Sequence, residues 1–199
     1  MRKTVFFGLG LGIAILATHP RVAAAQQRQL GPHEHGRGTL NIAIEAGRIS
    51  MELEAPGVDI VGFEHAAKTA RQKAALENAK KQLLAPQSLF KFPRAAGCLV
   101  ADAKVDIERE EHEHDQGTEP HAEQHKAEAA AAEEKGHSNF HAEYAFTCNA
   151  PTSITAVEFG YFQAFAGAQK LEVNVITPKG QTKFEVSRAK PRIDLAGMM

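Results

Sequence analysis

Residues 39–45 read TLNIAIE, residues 48–54 read RISMELE, and Ala46-Gly47 stands between them. Both runs alternate polar and apolar side chains with a period of two, the pattern of a strand with one buried face. A two-residue link containing glycine between two such runs predicts a β-hairpin. Leu40, Ile42 and Ile44 fall on one face of the first run; Ile49, Met51 and Leu53 complete the apolar face of the second. Ala55-Pro56-Gly57 ends the second strand.

Outward from the hairpin, residues 59–84 are predicted as the main helix. Phe63, Ala67, Ala70 and Ala74, with Leu76 and Ala79, mark a small-residue stripe at helical spacing, and Pro86 stops it. Residues 97–108 (GCLVADAKVDIE) and 139–148 (NFHAEYAFTC) return to period two and pair as a long hairpin, with residues 109–138 as its protruding loop. Residues 153–159, 171–176 and 182–186 are further strand candidates, the last two joined by the turn Thr177-Pro178-Lys179-Gly180. Residues 161–165 read as a short aromatic turn of helix. The expected class is α+β: antiparallel sheet with one main helix and a disordered His-rich loop. A faint echo between the halves, Glu54-Ala55-Pro56 against Asn149-Ala150-Pro151, leaves two related lobes open.

That loop carries the chemistry. Residues 111–137 read EHEHDQGTEPHAEQHKAEAAAAEEKGH and hold five of the ten histidines with almost no large apolar residue. Neutral imidazole and carboxylate suit Zn²⁺ and its first-row neighbours, and a segment of this composition gathers metal more readily than it forms a core. His112 and His114, flanked by Glu111, Glu113 and Asp115, alternate so that an extended chain puts both rings on one side. His121 and His125 are spaced for one face of a helical turn, and His137 closes the run. Binding here would be modest in affinity, because ordering the loop costs entropy. His33, His35, His65, His141 and Glu143 lie in or beside ordered segments, and a preformed site would draw on two or three of them. Period two places His141 and Glu143 on one face, opposite Phe140 and Tyr144. For His65 the competing reading is a locally hydrogen-bonded helix residue.

The first 25 residues read as a secretory signal peptide: Arg2-Lys3, an apolar run over residues 5–17, then Ala23-Ala24-Ala25. The run is shorter than the roughly 20 residues that span a bilayer. Cleavage near Ala25 leaves residues 26–199 as a single exported domain. It removes three of the 23 basic side chains and none of the 24 acids, giving a net charge of about −4 that argues against a nucleic-acid partner. Only Cys98 and Cys148 are present; an even count in an oxidising compartment favours a disulfide over free thiols or two thiolate ligands. No enzyme is expected. H-E-x-x-H is missing, since His121 and His125 have its spacing but the glutamate stands at 123. Gly-x-Ser-x-Gly, the P-loop and Gly-x-Gly-x-x-Gly are missing too.

Taken together, the motifs resemble those of ZrgA-type zinc-uptake proteins. The match runs through His33-Glu34-His35-Gly36, Leu40-Asn41-Ile42-Ala43 and Asp59-Ile60-Val61-Gly62-Phe63-Glu64-His65-Ala66. It continues through Gly97-Cys98, the His-rich insert, His141-Ala142-Glu143-Tyr144, Phe146-Thr147-Cys148, Thr177-Pro178-Lys179-Gly180-Gln181 and Pro191-Arg192-Ile193. The resemblance implies a periplasmic protein of Gram-negative bacteria that binds zinc and assists its import beside an inner-membrane transporter. It also marks His33, His35, His65, His141 and Glu143 as candidates for a defined site. The insert departs from the long His-Asp repeats of many such proteins, being diluted with Ala and Glu, which implies lower loop capacity. The rival reading is an envelope interaction or structural module whose histidines respond to pH.

Overall fold

The computed structural model describes residues 34–109 and 137–199. The signal-peptide reading, His33 and the insert histidines His112, His114, His121 and His125 lie outside them.

The opening hairpin forms as its alternation predicts. Strand β1 (Arg37–Glu45) and strand β2 (Arg48–Pro56) pair antiparallel from Glu45↔Arg48 to Thr39↔Glu54. Ala46 and Gly47 both take positive φ, 48° and 81°, as the type I′ turn of a two-residue hairpin requires. Leu40, Ile42, Ile44, Ile49, Met51 and Leu53 are all buried.

The helix prediction needs correction. Residues 59–84 are not one helix but two, α1 (Gly57–Val61) and α2 (Ala70–Leu83), separated by an irregular segment. Gly62 ends α1 with φ 83°, a left-handed conformation that glycine adopts without strain. Thr69 then starts α2 with a capping box: its Oγ1 accepts from Gln72 N–H at 3.2 Å, and Gln72 Oε1 accepts from Thr69 N–H at 3.0 Å. The buried stripe is also different. Leu76, Ala79 and Leu83 face the core, whereas Ala67 is half-buried and Ala70 and Ala74 are exposed. The alanine stripe fits a helix in isolation, but the larger side chains set which face is buried.

A one-turn helix, α3 (Pro86–Leu89), runs into the two-residue strand β3 (Phe90–Lys91). Next come β4 (Cys98–Arg109) and β5 (Ser138–Cys148), paired antiparallel from Cys98↔Cys148 to Arg109↔Ser138, with a bulge after Val100. The insert therefore connects the two strands at the Arg109–Ser138 end of this hairpin, and Cys98 and Cys148 are disulfide-bonded at the other. The strand expected over residues 153–159 is shorter. A 3₁₀ turn, Pro151–Ser153, precedes β6 (Ala156–Phe159), and the N–H groups of Ser153, Ile154 and Thr155 bond back to Ala150, Pro151 and Ser153 carbonyls, not to a ladder. The chain ends with α4 (Tyr161–Ala164), β7 (Lys170–Thr177), β8 (Gly180–Ser187) and β9 (Arg192–Asp194).

Six strands form one sheet in the order β4-β5-β2-β1-β7-β8, antiparallel except for the parallel pair β1 and β7. Strands from both halves of the chain share it. A second sheet, β3-β6-β9, packs on its apolar face through Phe90 against Tyr144 and the flanking Phe92 against Phe146. Phe159, Tyr161, Phe162 and Phe165 fill the same cluster. Because alternate residues of each strand face that cluster, the residues between them occupy the opposite face, where Glu52, Glu54, His141 and Glu143 stay at least partly exposed while Pro56 and Asn139 are buried. This polar face holds the chemistry. Among the described residues, no helix is long and apolar enough to cross a membrane.

Candidate metal centre

Strand β2 alternates Met51, Leu53 and Ala55 into the core with Glu52 and Glu54 outward. Strand β5 does the same, with Phe140 and Ala142 inward and His141 and Glu143 outward. Their register sets Glu54 directly across from His141 and Glu52 across from Glu143. Glu52 is thus diagonal to His141, still within reach of a long side chain. One ligand atom from each of Glu52, Glu54 and His141 lies within 4.8 Å of the others, and all three residues are partly buried. His141 Nε2 stands 3.1 Å from Glu52 Oε1. Two zinc ligands at about 2.0–2.1 Å in tetrahedral array stand about 3.3 Å apart, so this pair is already spaced to share an ion.

Neighbouring strands aim the glutamate. Asn41 on β1 donates from Nδ2 to Glu52 Oε2 at 3.3 Å, and Asn174 on β7 donates to Asn41 Oδ1 at 3.0 Å. A hydrogen-bonded relay of this kind fixes a ligating carboxylate before the ion arrives. Beside it lies a depression of about 460 Å³ whose lining includes Asn41, Glu52, Asp102, Glu143, Asn174 and Ile176. An imidazole and two carboxylates on a rigid sheet can hold a divalent cation with one position open to water.

A second group of ligand-type residues sits at the end of the sheet where the insert joins. His35, just before β1, places Nε2 3.2 Å from Glu64 Oε1. His137, just before β5, places Nδ1 2.7 Å from Glu64 Oε2. Below them Asp59 is buried on α1, and its Oδ1 accepts from Gly36 N–H at 2.8 Å. Burial raises the Asp59 carboxyl above the usual carboxylate range; the Gly36 hydrogen bond and nearby His35 act in the opposite direction.

Of the residues singled out from sequence, His141 enters the first group, and His35 and His137 enter the second. Glu143 shares the face of His141 but lies outside the three whose atoms converge. His65 joins neither: it is in the segment between α1 and α2, with Nδ1 2.9 Å from Ala66 O, Nε2 3.4 Å from Gln72 Nε2 and its ring stacked on Phe63. Sequence reasoning missed Glu52, Glu54, Glu64 and Asp59 as site residues. Alternation in RISMELE placed the first two on the polar face, but only the pairing of β2 with β5 brings them to a histidine.

The family model described as ZrgA family zinc uptake protein matches residues 32–195, nearly all of the described chain. The chain belongs to the ZrgA family of zinc uptake proteins. No curated protein matches it. The imidazole-carboxylate donors on its polar face suit zinc. The disulfide, closed across β4 and β5, agrees with folding in an oxidising compartment.

Proposed function

We propose that this chain is a periplasmic zinc-binding protein that captures or buffers Zn²⁺ and assists its uptake through an inner-membrane importer. It acts as a carrier, not an enzyme. The observation that carries the reading is the convergence of Glu52, Glu54 and His141 on the polar face of a sheet, in a chain of a zinc uptake family. These ligands are supplied by rigid strands, so little ordering entropy opposes binding. They are also partly exposed, which leaves a receiving protein room to attack the bound ion and exchange it.

Zinc binding by the purified chain tests this. After incubation with zinc and desalting, it should retain at least one ion per chain. His141→Ala combined with Glu52→Gln should remove one equivalent while leaving the thermal melt of the metal-free protein close to the parent's. A chain that leaves desalting without zinc overturns the reading and turns attention to the pH-responsive envelope module.

A further inference from the structure

Glu64 is mostly enclosed, with 15% of its side chain exposed, and it meets a different histidine at each oxygen. The contact to His137 Nδ1 is a hydrogen bond at 2.7 Å. The contact to His35 is not. Oε1 is buried and has no hydrogen-bond partner, although His35 Nε2 stands only 3.2 Å away. A close nitrogen that is misaligned for hydrogen bonding and a buried carboxylate oxygen without a donor are a costly arrangement in a metal-free protein. They are the expected arrangement of two ligands flanking a cation, whose separation across a tetrahedral zinc is about 3.3 Å.

The surroundings point the same way. Asp59 is 4% exposed, and its Oδ2 also lacks a hydrogen-bond partner. Its other oxygen holds the Gly36 N–H, which fixes the backbone next to His35. Gly57, at the start of α1, has no room for a Cβ: one built there would lie 2.3 Å from Ser138 Oγ and 3.0 Å from Phe63 O. That close approach draws the start of β5, and so His137, against the segment that carries Glu64. Three remote stretches of chain are thus brought together by tight backbone packing, not by chance contact of long surface side chains.

We propose that His35, Glu64 and His137 form a second zinc site, distinct from Glu52, Glu54 and His141, at the end of the sheet where the insert joins the body. Zinc there would take one nitrogen from each imidazole and an oxygen of Glu64, with the His35 side chain, 62% exposed and free to turn, swinging toward His137, and with the fourth position left to water. His137 and His141 are four residues apart, about 13 Å along an extended chain, so the two sites do not share an ion.

The inference rests on the zinc-binding reading above, and zinc titration of the full chain against a competing chelator separates the two. Glu64→Gln keeps the shape of the side chain but offers a neutral, poorer ligand. It should lose one zinc equivalent, or weaken one class of site at least tenfold, while the His141→Ala, Glu52→Gln variant loses a different one. Combining all three substitutions should remove both. His35→Ala with His137→Ala should reproduce the Glu64→Gln result, which guards against a folding defect in any one variant. Anomalous diffraction at the zinc edge should show density between His35 and His137. Parent-like zinc binding by both Glu64→Gln and the double histidine variant overturns the second site, while loss only in the His141 variant leaves the first reading intact.

Discussion

At the scale of single residues, the informative positions are those whose polar atoms are buried against expectation. Asp59 is one. Burial raises its carboxyl, so the folded chain holds the proton to higher pH than the unfolded chain does. Stability from this group is present at low pH and declines as the pH rises through that window. Asp59→Asn keeps an oxygen acceptor for Gly36 N–H and removes the charge. In denaturant melts of metal-free protein, its stability relative to the parent should therefore improve from about pH 4 to about pH 7. Asp59→Ala leaves the Gly36 N–H without its partner and should lose about 1–3 kcal/mol throughout. A pH-independent difference between Asn and Asp would contradict this account. None of it is legible in the sequence, where Asp59 reads as an ordinary acid in the first turn of a helix.

At the scale of elements, alternation was a reliable guide and helical spacing was not. TLNIAIE and RISMELE form their hairpin because each run has one apolar face and the Ala46-Gly47 link adopts the twist that the strands need. Alanine-rich spacing runs on past Gly62 and Thr69, yet Gly62 ends one helix and Thr69 begins the next. The pairing of β4 with β5 follows from their matching patterns, and the disulfide locks it at the end away from the insert. Cys98 and Cys148 are 50 residues apart, so the bridge should contribute about 4 kcal/mol by restricting the unfolded chain. Replacing both with alanine should lower the urea midpoint by that equivalent. Little or no change in midpoint would show that the unfolded chain is already held together at this point.

At the scale of the whole molecule, one end of the large sheet collects ligands and the opposite end is covalently closed. Arg109 and Ser138 are still paired where the insert leaves and returns, so a short turn can replace the segment between them. Deleting residues 111–136 should leave both ordered sites filled, whereas extending the deletion through His137 should cost one further zinc per chain. Metal analysis after gel filtration reads both. Loss of all bound zinc on the shorter deletion would mean that the insert supplies required ligands. The sequence by itself determined the α+β class, the hairpins and the cysteine pair, because composition and periodicity are local properties of the chain, and its motifs carried the resemblance to a zinc uptake family. Only the tertiary structure decided which carboxylates meet which histidines. Glu52 and Glu54 reach His141, and Glu64 reaches His35 and His137, through strand register and through backbone contact at Gly57. Such contacts join residues up to 89 positions apart, and no local pattern of side chains encodes the register that brings them together.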